Sequence, residues 1–333
     1  MAVVDRDEYS TIRYWDHLVQ RGAATAIETV RDVLRNGGLS GDALALAHGA
    51  AGRCLFEAGR IDEARSSAES ALNAVDGVSD EVRHWVAMGA SFVLAEAGQI
   101  DEALARLQAI AQESDGVELG RVHVQIATIL HHAGRLHESL VEFDAGQRLL
   151  DHHGEVAEQI RFHNNRGVVL LQQGQFSRAD ADFRAAERLA AEAELWSAQA
   201  QSVANRAVLL GRSRRLVEAI GEFERAAEHF ERAGSPARLV ATMSIDQAEV
   251  MMHSGLTADA VAAGHAAIAS IRETGNSVLL GDAQLVTARA EMAAGRLRAA
   301  NVTASSATQT FAASDRSDMV PHARSVEVTV ALL

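Results

Sequence analysis

A turn signature recurs through most of the chain, and it constrains the fold more than any other feature. Seven short segments share a turn, then an apolar residue, then a small one. They read AGRIDEA at Gly59, AGQIDEA at Gly98, AGRLHES at Gly134, QGQFSRA at Gly174, SRRLVEA at Arg214, SGLTADA at Gly255 and AGRLRAA at Gly295. Successive turns are 39, 36, 40, 40, 41 and 40 residues apart. A second turn series lies between them, at Asp76-Gly77, Asp115-Gly116, His153-Gly154, Ala233-Gly234 and Thr274-Gly275. Two interleaved turns per period leave room for two helices of roughly 15 residues each.

Between the turns the apolar spacing is helical. Phe176, Ala179, Phe183 and Ala186 follow the fourth turn at three- and four-residue steps, which places them on one helix face. Ala219, Phe223 and Ala226 repeat the pattern in the fifth unit. A lone hairpin of this kind cannot bury its apolar face, so the units must stack. Composition agrees. Hydrophobic residues make up 48% of the 333 residues but aromatics only 4%, and 25 glycines accompany just two prolines, Pro236 and Pro321. Alanine- and leucine-rich helices joined by glycine turns fit that balance.

These residues resemble the tetratricopeptide repeat family. The small residue at the family's eighth position is matched by Gly52, Ser91, Ala127, Gly167, Ala207, Ala248 and Ala288. The later alanine is matched by Ala64, Ala103, Ala179, Ala219, Ala260 and Ala300, with Ser139 in its place in the third repeat. An aromatic is kept as Phe143, Phe183 and Phe223. The unit is longer than the usual period of ~34, and the closing proline is missing. The longer unit resembles the extended repeats of bacterial regulators and of the helical region preceding CHAT-type peptidase domains in actinobacteria. The resemblance implies an all-α fold, a right-handed superhelical solenoid of antiparallel helix pairs. Residues 1–40 then form a degenerate N-terminal helical repeat or cap, 41–316 seven helix pairs, and 317–333 the start of a further helix. In that last segment Val326, Val328, Val330 and Leu332 alternate with a strand-like period of two. That leaves its helical reading open and offers an apolar edge for self-association or for continuation into a longer chain.

In such folds the first helix of each pair lines a concave groove. The sixth position of that helix reads Ala50, Gly89, Gln125, Asn165, Asn205, Asp246 and Val286. The polar middle suits an extended peptide, because an amide offers both donor and acceptor to a main chain. Asn164 stands beside Asn165, and Arg121 and Arg161 occupy the second position of neighbouring repeats, where they would clamp a carboxylate or phosphate. The alternative is that these polar residues are solvated or tie helices together. The expected function is a non-enzymatic scaffold for a protein or peptide. The alternatives are the recruiting or sensing arm of a CHAT-type peptidase or other effector, and a peptide-responsive regulator.

Other chemistries find little support. There is no lysine; all 31 basic residues are arginine, which removes the phosphate-loop, Schiff-base and serine–lysine mechanisms. A net charge of −14 disfavours nucleic acid as a partner. The single cysteine, Cys54, has no internal disulfide partner and reads as a small core residue rather than a nucleophile. His123, His131, His132, His137, His152, His153 and His163 cluster in sequence. Adjacent histidines on a helix diverge, however, and neither HExxH nor a cysteine accompanies them. Arg212, Arg214 and Arg215 form a basic turn, open to an RNA or phosphopeptide reading or to that of a plain exposed turn. No catalytic residue, metal or cofactor is expected. With no signal core and no apolar span, a soluble cytoplasmic chain without membrane partners is expected.

Overall fold

The computed structural model describes residues 11–12, 14–15, 23–36, 38–58, 60–150, 155–235, 237–274, 277–314, 316 and 319–333. The turn residues Gly59, His153, Gly154 and Gly275, and with them His152 and Pro236, lie outside the described residues. Sixteen α-helices and no strand occur among those described. The chain divides into two compact units, residues 1–153 and 154–333.

In the first unit α1 (Ala23–Asn36) precedes three helix pairs and packs on the first of them. The pairs are α2 (Gly41–Glu57) with α3 (Ile61–Asn73), α4 (Asp80–Glu96) with α5 (Ile100–Glu113), and α6 (Gly116–His132) with α7 (Leu136–Leu150). The second unit holds four pairs: α8 (Val156–Gln172) with α9 (Phe176–Glu192), α10 (Trp196–Arg212) with α11 (Leu216–Ala233), α12 (Ala237–His253) with α13 (Thr257–Thr274), and α14 (Ser277–Ala293) with α15 (Leu297–Ala313). A last helix, α16 (Val320–Leu332), packs on α15 and α14.

All seven first helices are 17 residues long. The second helices run from 13 to 18 residues, so the uneven spacing of the turns arises in the second half of each repeat. The turns themselves are of one kind. Gly174 (φ 73°) follows α8, and the Gln175 N–H donates back to the Leu170 carbonyl at 2.9 Å. The same five-residue return closes each of the seven hairpins, from Arg60 to Leu55 through Arg296 to Glu291. This is the glycine helix stop that satisfies the last carbonyls. In the fifth pair Arg214 takes the glycine's place at φ 61°, and Glu194 does so at φ 56° in the other turn series. Several second helices begin with an arginine that grips a glutamate three residues on. Arg135 Nε donates to Glu138 at 2.8 Å, and Arg215 Nε to Glu218 at 2.7 Å.

The two small-residue columns are where paired helices meet. Every member of both columns is buried. A Cβ on Gly52 would lie 3.3 Å from the Ala64 carbonyl oxygen, so backbone meets backbone there. Ser139 fits because its hydroxyl donates to the Ala127 carbonyl at 2.7 Å, across the same contact. Phe143, Phe183 and Phe223 fill the space beyond and are sealed from solvent. A Cβ on Gly167 would stand 2.5 Å from the Phe183 ring, so glycine makes room for the phenylalanine.

The C-terminal segment is a helix, not a strand. Its buried residues, Ala323 and Val326, are three apart and face α14 and α15, while Val328 (59% exposed) and Leu332 (82%) face away. No strand edge is present among the described residues to pair with it, so packing on a helix overrides the two-residue alternation.

A polar ladder on the first helices

Within each unit, successive first helices pack on one another, while successive second helices make no comparable contact. The first helices of each unit therefore form a continuous layer, the inner layer of that unit. Asn165, Asn205 and Asp246 lie at the same register on α8, α10 and α12, and all three are half-buried. Gln125 holds the corresponding place on α6 in the first unit, also half-buried.

Asn164 is different. It is 4% exposed, and its amide donates to the Ser202 hydroxyl at 3.0 Å. The Asn205 amide donates in turn to the Asn164 carbonyl oxygen at 3.3 Å. Asn164 is thus a tie between α8 and α10, which is the inter-helix role weighed for these residues. Asn205 takes part in that tie with one N–H and keeps its own carbonyl oxygen. Arg121 pairs with Glu118 at 3.1 Å, so its charge is already partly matched, whereas Arg161 is exposed. These two arginines belong to different units.

Asp246 carries the largest electrostatic perturbation. Burial raises its pKa, the neighbouring Glu249 raises it further, and Arg212 only partly opposes them, leaving the carboxyl at about 7. It stands at the α12 end of the ladder.

The histidines and many acids are occupied between helices. His123 Nδ1 lies 2.6 Å from Glu142, and His163 Nδ1 lies 2.8 Å from Asp182, the same pairing one repeat later. Arg166 grips Asp182 with two bonds of 2.7 Å. Burial alone would raise the Asp182 pKa; the bonds from Arg166 and His163 outweigh it and hold the carboxyl below its ordinary range. Arg206 on α10 reaches Asp180 (3.3 Å) and Glu187 (3.5 Å) on α9 and Glu222 (3.2 Å) on α11. His132 pairs with Glu96. Among the described residues no group of three or more His, Cys, Asp or Glu side chains is placed to hold a metal ion. Cys54 is buried, and no described helix is long and apolar enough to cross a membrane.

The inner layer of the first unit has another chemistry. Phe56 and Phe92 meet edge to face at 5.3 Å, and Phe92 meets His132 at 5.9 Å, which links α2, α4 and α6. Arg53 lies over the Trp85 ring at 5.6 Å. The individual repeats do not predict these contacts; they emerge when Phe56, Phe92 and His132 are placed on neighbouring helices.

No protein-family model matches the chain, and no curated protein does. Solved structures do. A Rap protein complexed with Competence and Sporulation Factor superimposes with a TM-score of 0.60 over 98% of both chains at 13% identity. The apo form of the quorum sensor NprR from B. thuringiensis gives 0.61 at 13% identity, over 93% of this chain and 89% of that one. A tetratricopeptide repeat protein from Parabacteroides merdae gives 0.55 at 12% identity, over 83% and 96%. At such identities the likeness concerns the fold. The chain therefore has the tetratricopeptide-type fold, an array of antiparallel helix pairs.

Proposed function

We propose that the protein is a non-enzymatic scaffold that binds an extended peptide, or an extended segment of a protein, along the inner layer of its second unit. The observation that carries this reading is the ladder of Asn165, Asn205 and Asp246. These are half-buried polar side chains at one register on three successive helices. Neighbouring first helices present them in a row, and amides in a row suit the alternating donors and acceptors of an extended main chain. The fold likeness supports the same reading, since one of the similar proteins was solved with a bound factor and another is a quorum sensor. Regulation by such a ligand is the natural extension of the proposal.

Asn165→Ala combined with Asn205→Ala tests it. Affinity capture from the native host, quantified by mass spectrometry, is expected to lose the wild-type partner while helical circular dichroism stays the same. Undiminished capture would move the site elsewhere.

A further inference from the structure

The inner layer does not end at Asp246. Between α12, α14 and α16 lies a shallow, open cavity of about 310 Å³, lined by Met252, Arg289, Met292, Ala293, Ser325, Val326 and Thr329. That volume is at the small end for a ligand pocket, of order 300–1,000 Å³. Its wall has two parts. Met252 and Met292 stand at equivalent places 40 residues apart, and with Val326 they make an apolar surface. Methionine adapts its shape to different apolar guests. The other part is Arg289, which is half-buried and has no carboxylate within ion-pair distance among the described residues. The contrast with Arg206, two first helices back and surrounded by three carboxylates, is plain. In a chain of net charge −14, a half-buried guanidinium without a counter-ion is an anion site waiting for a partner.

We infer that this cavity receives the C-terminal residue of the bound peptide. Its apolar side chain enters against Met252, Met292 and Val326, and its terminal carboxylate pairs with Arg289. The inference rests on the peptide-binding reading above and gives it a direction. The chain terminus lies toward α16, and the preceding main chain runs back along Asp246, Asn205 and Asn165. A terminal residue is favoured over an internal acidic one because the apolar wall and the guanidinium share one small cavity. Only a C-terminal residue carries an apolar side chain and a carboxylate on the same Cα. An internal aspartate or glutamate would have to take its apolar partner from a second residue.

The test uses the full chain and a synthetic heptapeptide mixture randomised at every position. The mixture is prepared both as free acids and as mass-distinguishable C-terminal amides. Retained peptides are read by mass spectrometry for the wild type, Arg289→Gln, Met292→Asp, and Asn165→Ala with Asn205→Ala. The wild type is expected to retain acids over amides by about tenfold, the scale of one charge-assisted contact. Leu, Ile, Met or Val should be enriched at the last position. Arg289→Gln should bring the acid-to-amide ratio to about one while leaving amide retention intact, and Met292→Asp should erase the last-position preference. The Asn variant should lower acids and amides alike. Equal retention of acids and amides by the wild type, no retention of acids, or a preference for acids that survives Arg289→Gln would overturn the inference. If both forms are retained equally and both fall in the Asn variant, the ladder stands and only the terminal pocket fails.

Discussion

In residues 1–153 the inner layer carries Phe56, Phe92 and His132, joined ring to ring, with Gln125 as its one amide at the ladder's register. In residues 154–333 it carries Asn165, Asn205 and Asp246. The helices beneath are alike: 17-residue first helices, the same glycine-type turns, and the same two columns of small residues at the pair contact. The contrast separates two kinds of position. Residues that join the helices of a pair are held to a narrow range of size, because backbones approach there. Residues on the inner layer join nothing essential to the pair and are free to differ in chemistry. The proposed ligand contacts fall on the second kind.

The largest expected effect tests whether the two units really share a scaffold. Phe143→Ala in the first and Phe183→Ala in the second should each lower stability by about 3–5 kcal/mol, since both rings are sealed in matching places. Chemical denaturation followed by circular dichroism measures both. A full effect in one unit and almost none in the other would break the equivalence.

Asp246 gives the second unit's inner layer a pH dependence of its own. An ordinary aspartate titrates near 3.8, whereas this one is raised to about 7. Across that window the unfolded chain has released the proton and the folded chain holds it. Stability therefore falls as pH rises from about 4 to 7 and levels off above. Asp246→Asn should then be stabilising by about 1–3 kcal/mol at pH 8 and close to neutral at pH 4. Thermal melts at the two pH values would show it, and an equal shift at both would contradict the buried-carboxyl account. Asp182 behaves oppositely. Its pKa is depressed, so its contribution is complete above about 3.8 and is lost only as pH falls through a lower value.

The smallest effect concerns the turns. In the described part of the first unit every left-handed residue is glycine, while the second unit holds Glu194 and Arg214 in that conformation. Glu194→Gly and Arg214→Gly should each raise stability by up to about 1 kcal/mol. A loss in either would show that the side chain at that turn makes a stabilising contact.

Much of this scaffold was legible in the residues, because self-similarity exposes both turn series and both small columns. What escaped had a physical reason. Glu194 lacks the glycine that marks a left-handed turn, so its turn is missing from the second series, whereas Arg214 is placed by its register in the first. The pairings of His123 with Glu142 and His163 with Asp182 recur one repeat apart, yet each joins residues 19 positions apart on different helices, beyond any single-helix spacing rule. Asn164 and Asn165 are neighbours in sequence and polar alike, but a helix turns about 100° per residue. That rotation buries one between α8 and α10 and leaves the other half-open. The valine alternation before the C-terminus has the period of a strand. Its helical outcome is set by the faces of α14 and α15, which no local pattern records.

The most direct measurement sets the two inner layers against each other. Retention of the free-acid heptapeptide mixture would be compared for Asn165→Ala with Asn205→Ala and for Phe56→Ala with Phe92→Ala, both checked for unchanged helical circular dichroism. The account predicts a loss of about tenfold or more in the asparagine variant and wild-type retention in the phenylalanine variant. Loss confined to the phenylalanine variant would place the ligand on the aromatic layer of the first unit and contradict the account.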